Sequence, residues 1–291
     1  MKKLCNKKSS KKDSIFVPND VYRYDQLKII IFLITGLILL NGCVSKDKQD
    51  LTIAGSTTVQ PIITKASDVY SAEHPNVRIG VQGGGSGTGI RMVGEGSVGI
   101  GASSRELTVE EKRENPDLMT HTIALDCIAI VVHPSNSIKD LSLDQIRDIF
   151  SGKITNYKEV GGPDRRIVLV EREDGSGTRS MFESMVMNNT DVSDSALQKP
   201  ASGAIRFTVS GNPNAIGYVG IGYLDDSIKP VSIKGVLPIE ENVKTKAYPL
   251  SRNLYLVTKG APSGLSTEFI DYILSEEGQK IVREEGFIPI R

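Results

Sequence analysis

The sequence predicts an α/β protein built from two lobes. Beyond residue 50, short apolar segments typical of strands alternate with segments in which apolar residues recur at helical spacing. Two long apolar strands are predicted at 125–132 and 253–258, with strand–helix units before and after them, so we expect the chain to cross twice between the lobes. Loops rich in Gly, Ser and Thr follow some of the strands, at the edge where open α/β sheets bind ligands.

The first half of the chain contains most of the predicted strand–helix units. Residues 51–54 form a short apolar strand, and 59–73 carry apolar residues on one face of a helix. Residues 77–81 alternate in hydrophobicity, as expected of a strand, and a loop separates them from a helix predicted at 90–95. Residues 98–102 form the next strand.

Later elements follow from the same patterns. The continuous apolar run 125–132 predicts a strand buried on both faces. Residues 141–150 form a helix for which Ser142 is a suitable N-cap. Residues 266–285 are predicted as a single, strongly amphipathic helix. The remaining predicted elements are a helix at 181–188 and strands at 167–170, 215–220 and 253–258.

The first 50 residues have a composition of their own. Residues 1–28 contain eight Lys or Arg and three Asp or Glu, so the rest of this formally neutral chain has five more acidic than basic residues. The apolar run 29–40 is short for a membrane span, which needs about 20 residues, and fits the apolar region of a secretory signal. Residues 40–43 (LNGC) are similar to a lipoprotein signal, with cleavage before Cys43 and lipid on its thiol; an uncleaved anchor is the alternative. Either way we expect the body outside the cell membrane, held at its outer face, with 44–50 as a tether.

Composition excludes several classes of function. An acidic body lacks the basic patch of a nucleic-acid-binding protein. Cys5 would be lost with the signal and Cys43 lipidated, which leaves only Cys127, inside an apolar run. That count rules out a disulfide framework and a thiolate metal site. The three histidines are scattered without ligand spacing, so we expect neither a metal site nor a cofactor.

Three loops share one composition. Residues 55–58 (GSTT), 83–89 (GGGSGTG) and 174–179 (DGSGTR) each lie between a predicted strand and a predicted helix. Backbone N–H groups at a helix N-terminus, together with small hydroxyl side chains, are suited to binding a small anion. Three such loops therefore indicate one anion held from several sides, although a segment such as 83–89 is also compatible with a flexible linker.

One arginine lies beside the third loop. Arg172 ends a predicted strand two residues before Asp174, and a guanidinium can donate to two oxygens of a tetrahedral anion. Asp174 is expected either to orient Arg172 or to cap the helix that follows. An ordinary surface position in the charged run 171–174 is the alternative for Arg172. Hydroxyl donors are expected from Ser56, Thr57, Ser86, Ser176 and Thr178.

The loops lack the features of enzymes that share their composition. A P-loop requires a Lys after its last glycine, and none follows these glycines. A nucleophile elbow requires Gly-x-Ser-x-Gly, which neither Ser86 nor Ser176 satisfies. A dinucleotide fingerprint fails because Thr88 replaces its last glycine. We therefore predict that the loops hold a ligand without reacting with it, and that the chain is not an enzyme.

Six segments together resemble one family. Residues 53–58, 82–89, 149–157, 172–179, 217–220 and 274–280 are similar to the phosphate-binding proteins of bacterial and archaeal phosphate ABC importers, a resemblance that covers about residues 51–291. It implies a two-lobed periplasmic-binding-protein-like fold of type II, with the lobes joined by a two-strand hinge. Such a protein closes on inorganic phosphate and delivers it to a membrane permease; we expect a monomer. Lobe 1 would comprise 51–126 and 252–291, and lobe 2 would comprise 127–251.

The resemblance also implies ligand contacts, with Asp174 as the partner of Arg172. One position departs from the family: Ser104 stands where many members have an Asp that accepts the proton of hydrogen phosphate. Selectivity over tungstate, molybdate or sulfate therefore stays open, as does a role as a phosphate sensor. The candidate ligand-binding residues are Ser56, Thr57, Thr58, Ser86, Ser103, Ser104, Arg172, Asp174, Ser176, Gly177 and Thr178.

Overall fold

A mixed sheet of nine strands runs through the residues that this computed structural model describes, 48–291. The predicted signal segment 1–43, with Cys43, and residues 44–47 of the predicted tether lie outside the described residues. The strands are β1 (Gln49–Gly55), β2 (Val77–Gln82), β3 (Ile100–Ser103), β4 (Leu118–Val132), β5 (Asp140–Leu141), β6 (Val168–Arg172), β7 (Leu197–Lys199), β8 (Ala215–Gly220), β9 (Lys229–Pro230), β10 (Ser232–Ile233) and β11 (Ser251–Lys259). Their order is β2-β1-β3-β11-β4-β8-β6-β7, with β9 also paired to β4 and with β5 and β10 forming a separate pair.

The helices lie between these strands. They are α1 (Gln60–Glu73), α2 (Ser86–Gly94), α3 (Val109–Glu114), α4 (Leu143–Phe150), α5 (Gly177–Phe182), α6 (Ser202–Ser210), α7 (Glu240–Lys244), α8 (Leu265–Leu274) and α9 (Glu276–Glu284). One turn of π-helix, Glu183–Met187, continues α5, and short 3₁₀ helices occur at Tyr157–Val160 and Ile221–Tyr223. The predicted α/β class is confirmed.

One strand, β4, belongs to both parts of the sheet. Its residues 118–127 pair antiparallel with β11, whereas 128–132 pair antiparallel with β8. Beyond β11 lie β3, β1 and β2, and beyond β8 lie β6 and β7. We call the side with β1, β2, β3 and β11 the first half and the side with β6, β7 and β8 the second half; β4 and β11 are the crossing strands.

Each half has its own apolar core. In the first half, α1, α8 and α9 pack against the sheet, with Ile53, Ile62 and Phe269 fully buried. In the second half, Phe182 of α5 stacks on Tyr218 of β8 at a centroid distance of 4.2 Å and meets Phe150 of α4 edge-on at 4.7 Å. Because the third Gly/Ser/Thr loop leads directly into α5, this aromatic cluster fixes the position of that loop.

Two helices begin inside the predicted loops. Helix α2 starts at Ser86 rather than at residue 90, and α5 starts at Gly177 rather than at 181. Gly85 precedes α2 with a φ of +87°, a conformation that a residue with a side chain rarely adopts. The loop residues are therefore themselves the first turns of these helices.

The prediction of one helix over 266–285 is wrong. Ser275 has extended backbone angles (φ −69°, ψ 170°) and separates α8 from α9. Its hydroxyl accepts from Gly278 N at 3.2 Å and donates to Tyr272 O at 2.6 Å, so it caps the start of one helix and the end of the other. The amphipathic pattern continues across the break because both helices cover the same core.

Strand β4 is longer than predicted, and three helices, α3, α6 and α7, were not predicted. Residues 118–124 extend β4 because they pair with β11, although polar side chains interrupt the apolar pattern there. Helix α3 begins with a capping box between Thr108 and Glu111. Across residues 48–291, every helix is too short or too polar to span a bilayer.

Substitution of Phe182 tests the aromatic cluster. We expect Phe182→Ala to lower the free energy of unfolding by about 3–5 kcal/mol, because it leaves a cavity beside two buried rings. Phe207→Ala is the matched control, since Phe207 is 80% exposed, and its effect should stay within roughly 0.5 kcal/mol. Urea titration of both variants measures the difference, and equal losses would contradict the packing described.

Candidate functional site

The first loop joins β1 to α1 in the first half. Ser56, Thr57 and Thr58 are each at most 5% exposed. Ser56 N donates to Ala102 O at 2.9 Å, and Ser56 Oγ accepts from Thr58 N at 3.2 Å. Ser56 thus shapes its own loop, whereas the hydroxyl oxygens of Thr57 and Thr58 bond to the second half.

The second loop ends beside the carboxyl end of β3. Ser86 Oγ accepts from Ser104 N at 3.0 Å and lies 3.4 Å from Ser104 Oγ. Ser103 Oγ donates to Arg105 O at 2.7 Å, which directs its hydroxyl into its own turn. Ser86 and Ser104 therefore form a buried hydroxyl pair, and Ser103 stabilises the turn that presents it.

The third loop brings the second half against that pair. Ser176 Oγ accepts from Arg179 N at 3.3 Å and caps α5. A Cβ atom at Gly177 would overlap the Ser86 hydroxyl and lie 2.8 Å from Ser104 Oγ. The approach of the two halves at this point thus depends on the missing side chain of Gly177.

A chain of hydroxyl groups connects the halves. Thr58 Oγ1 lies 2.9 Å from Thr178 Oγ1 and 3.2 Å from Ser202 Oγ. Arg172 Nη1 donates to Ser202 Oγ at 3.0 Å, and Arg252 Nη1 donates to Thr178 Oγ1 at 3.0 Å. We call the three buried hydroxyls of Thr178, Thr58 and Ser202 the hydroxyl chain; it runs between two guanidinium groups.

Backbone groups add further bonds across the same boundary. Gly87 N donates to Gly175 O at 3.0 Å, Ser202 N donates to Thr57 Oγ1 at 3.3 Å, and Tyr223 OH donates to Thr57 O. Burial raises the pKa of Tyr223 to about 12, against the opposing effect of nearby arginines. Tyr223 therefore remains a neutral donor across the physiological pH range.

Arg172 is buried but takes its carboxylate partner from an unexpected position. Its Nε and Nη2 donate to the two oxygens of Glu173, each at 2.8 Å. The prediction that Asp174 pairs with Arg172 is wrong: the Asp174 side chain is 91% exposed and pairs with Arg179 at 2.9 Å. The turn after β6 directs Glu173 back along the guanidinium and Asp174 towards solvent, so Asp174 does not lie with the other candidate residues.

Several residues of the site, including Tyr223 and Glu173, were not predicted from the sequence. Ser202 starts α6 after the residues Pro-Ala at 200–201, and residues 202–203 have the same Ser/Gly composition as the three loops. Asp126 is a charged residue inside the apolar run 123–132, which is itself an unusual position. Arg252 carries no comparable signal; it enters the site because the register of β4 and β11 places it opposite Asp126.

The assembled groups gather buried hydrogen-bond donors where the two halves meet. The nearby carboxylates of Glu173 and Asp126 are each bonded to an arginine. The bonds found for Ser86 and Ser176 involve neither a histidine nor a carboxylate. Within residues 48–291 there is no cluster of three or more His, Cys, Asp or Glu suited to a metal ion. This chemistry is suited to holding a small anion.

Comparison with known proteins gives matches over nearly all of the described chain. A family model described as a PBP superfamily domain matches residues 44–277. The phosphate-binding protein PstS of Bacillus subtilis (strain 168) is 39% identical over 247 residues, which cover 84% of this chain and 82% of that protein.

Two crystal structures are similar in both sequence and fold. A candidate phosphate ABC transporter substrate-binding protein of Clostridium perfringens, solved with bound phosphate, is 42% identical with a TM-score of 0.79, covering 84% of this chain and 100% of that one. An ABC-type phosphate transport receptor of Vibrio cholerae is 36% identical with a TM-score of 0.69, covering 82% and 99%.

Proposed function

Because this chain belongs to the family of phosphate-binding proteins of ABC importers, we propose that it captures inorganic phosphate and delivers it to a membrane permease. The observation that carries this proposal is the convergence of buried donors from three loops on both halves of the molecule. A desolvated anion requires many hydrogen bonds, and buried donors require an acceptor.

The phosphate contacts are divided between the halves. In the first half, the donors are Thr57, Thr58 and Ser86, with Ser104 beside them. In the second half, the donors are Arg172, Ser176, Gly177 and Thr178. Ser56 and Ser103 act by shaping their own loops, since their hydroxyls bond locally. The burial of Arg172 and its bond to Ser202 in the hydroxyl chain support its role as the charged donor.

The two halves act as lobes that close on the ligand. Lobe 1 comprises 51–126 and 252–291, lobe 2 comprises 127–251, and β4 with β11 forms the hinge. This division is supported by the change of partner along β4, from β11 up to Cys127 to β8 from Ile128 onward. An anion that touches both lobes binds the closed state better and shifts the population towards it.

The protein binds its ligand without catalysing a reaction on it. This part of the proposal is supported by serines whose observed bonds supply no general base. The protein works as a monomer outside the cytoplasmic membrane, anchored by lipid on Cys43, which the lipoprotein-like residues 40–43 support. The permease recognises the closed form.

Ser104 favours a second candidate, a binding protein for other oxyanions. A carboxylate repels a fully ionised oxyanion, whereas a serine hydroxyl can both donate and accept. Because Ser104 stands in the place of the family's aspartate, no carboxylate at this position repels sulfate, molybdate or tungstate. Phosphate remains the first candidate because the similar proteins are named for it.

Calorimetry with four anions separates these candidates. We expect phosphate to bind, with an affinity that falls as the pH is lowered through its titration near neutrality, because the ligand loses charge. Sulfate does not titrate in that range, so any affinity for it should stay constant. Binding of molybdate or tungstate without binding of phosphate would contradict phosphate transport and favour the second candidate.

Arg172→Ala should remove most of the phosphate affinity. Loss of one partner of a buried, charge-assisted contact costs about 2–5 kcal/mol, which corresponds to roughly 30-fold or more in Kd. Arg166→Ala is the control, because Arg166 is an exposed arginine just before the same strand. Equal affinities of the two variants in calorimetry would refute the assignment of Arg172.

Gly177→Ala should weaken phosphate binding without destabilising the fold. The added methyl group would overlap the Ser86 hydroxyl of the other half, a contact that the proposed open form lacks, and an overpacked contact costs about 1–3 kcal/mol. Gly203→Ala is the matched control in the first turn of α6, where the nearest atom to an added Cβ is Tyr223 Cε1 at 3.9 Å. Calorimetry measures the effect on phosphate affinity, and thermal unfolding without phosphate measures the effect on stability. A Gly177→Ala variant that binds phosphate as tightly as the parent would contradict the proposed contact between Gly177 and Ser86 in the closed form.

A further inference from the structure

We propose that Arg252 is a positioning residue for anion binding, which holds the Thr178 hydroxyl from the crossing strands and orients it towards the ligand. The inference rests on the proposed function and adds a residue outside the three loops. Arg252 lies on β11, and its Nη1 reaches Thr178 at the start of α5 in the second half. It therefore connects the crossing strands to the ligand-binding loop.

The position of Arg252 is set by strand register. Arg252 and Asp126 are directly paired in the β4–β11 ladder, with side chains 1% and 0% exposed. Arg252 Nε and Nη2 lie 2.8 and 2.7 Å from Asp126 Oδ2, and Asp126 Oδ1 accepts from Ile221 N at 2.8 Å. Both carboxylate oxygens are thus occupied, and one edge of the guanidinium is fixed.

The opposite end of the guanidinium faces the hydroxyl chain. Nη1 of Arg252 donates to Thr178 Oγ1, while Arg172 donates to Ser202 at the other end of the chain. Guanidinium nitrogens only donate, so Thr178 and Ser202 must each accept there. The direction of hydrogen bonding at both ends of the chain is therefore determined.

The hydroxyl chain has one more proton than its internal hydrogen bonds need. The hydroxyl chain has three O–H groups and two contacts between them, and each contact uses one proton. One O–H is left to donate to an anion oxygen. Because Arg252 occupies an acceptor position of Thr178, the hydroxyl of Thr178 turns its proton away from the crossing strands, towards Thr58 or the anion.

The charge of Arg252 acts in the same direction. Asp126 lies on the Nε–Nη2 edge of the guanidinium, so the Nη1 group is the part of the ion pair nearest to Thr178. The pair presents its positive end to the site and keeps its negative end at the crossing strands. This orientation strengthens the hydrogen bond that Nη1 donates to the Thr178 hydroxyl.

The test removes the ion pair without leaving a buried charge. Arg252→Met alone would leave the buried charge of Asp126 without a partner and would lower the stability of the fold. It is therefore combined with Asp126→Asn, which keeps an oxygen that accepts from Ile221 N. We expect this double variant to unfold at a urea concentration close to that of the parent and to bind phosphate roughly 10- to 100-fold more weakly, the range of one charge-assisted hydrogen bond. Arg147→Met is the control, because Arg147 pairs with Asp144 on α4.

A thermodynamic cycle with Thr178→Val distinguishes positioning from a general structural effect. If Arg252 acts through Thr178, the triple variant should bind phosphate within about twofold of Thr178→Val alone, because the hydroxyl that Arg252 orients is already gone. If the loss of affinity in the triple variant instead equals the product of the losses in the double variant and in Thr178→Val, Arg252 does not act through Thr178, and the proposal is overturned. Unchanged affinity of the folded double variant would overturn it too, whereas a parent chain that binds no phosphate would refute the proposed function and this inference with it.

Discussion

The need of buried polar groups for hydrogen-bond partners governs the structure where the two halves meet. Two guanidinium groups and a set of hydroxyls lie between two apolar cores, where an unsatisfied donor is costly. Their partners come from opposite halves: Thr58 bonds to Thr178 and Ser202, and Ser202 N bonds to Thr57. These buried polar groups therefore have their hydrogen-bond partners only when the two halves lie close together. A ligand rich in oxygen acceptors stabilises the same arrangement that the protein needs for its own donors.

The crossing strands supply the rigid reference for this arrangement. Strand β4 is apolar and buried where it passes from one half to the other, and Asp126 is the charged residue placed at that passage. The cross-strand pair with Arg252 adds a buried ion pair to the strand ladder. Buried ion pairs contribute little net stability compared with apolar residues of similar size. A geometric role at the site gives a physical reason for its presence here.

Sequence patterns predicted the parts of the molecule that depend on local chemistry. Strand and helix periodicity located most elements, and the Gly/Ser/Thr loops predicted where polar groups would gather at strand ends. The failures involve choices that local patterns do not decide. Glu173 and Asp174 are adjacent carboxylates, and only the geometry of the turn determines that Glu173 pairs with Arg172. Ser275 divides an amphipathic pattern that both resulting helices continue, and the pairing of Asp126 with Arg252 depends on the register of strands far apart in the chain.

The position of β11 in the sheet affects the order in which the two halves can fold during synthesis. β11 lies between β3 and β4, yet it is contributed by residues 251–259, near the end of the chain. The second half is continuous in sequence and is complete in the growing chain before β11 appears. The first half lacks an interior strand until then, and its β3 and β4 edges stay unpaired. The order of synthesis therefore favours early folding of the second half, and the last 41 residues, 251–291, act as the segment that closes the first.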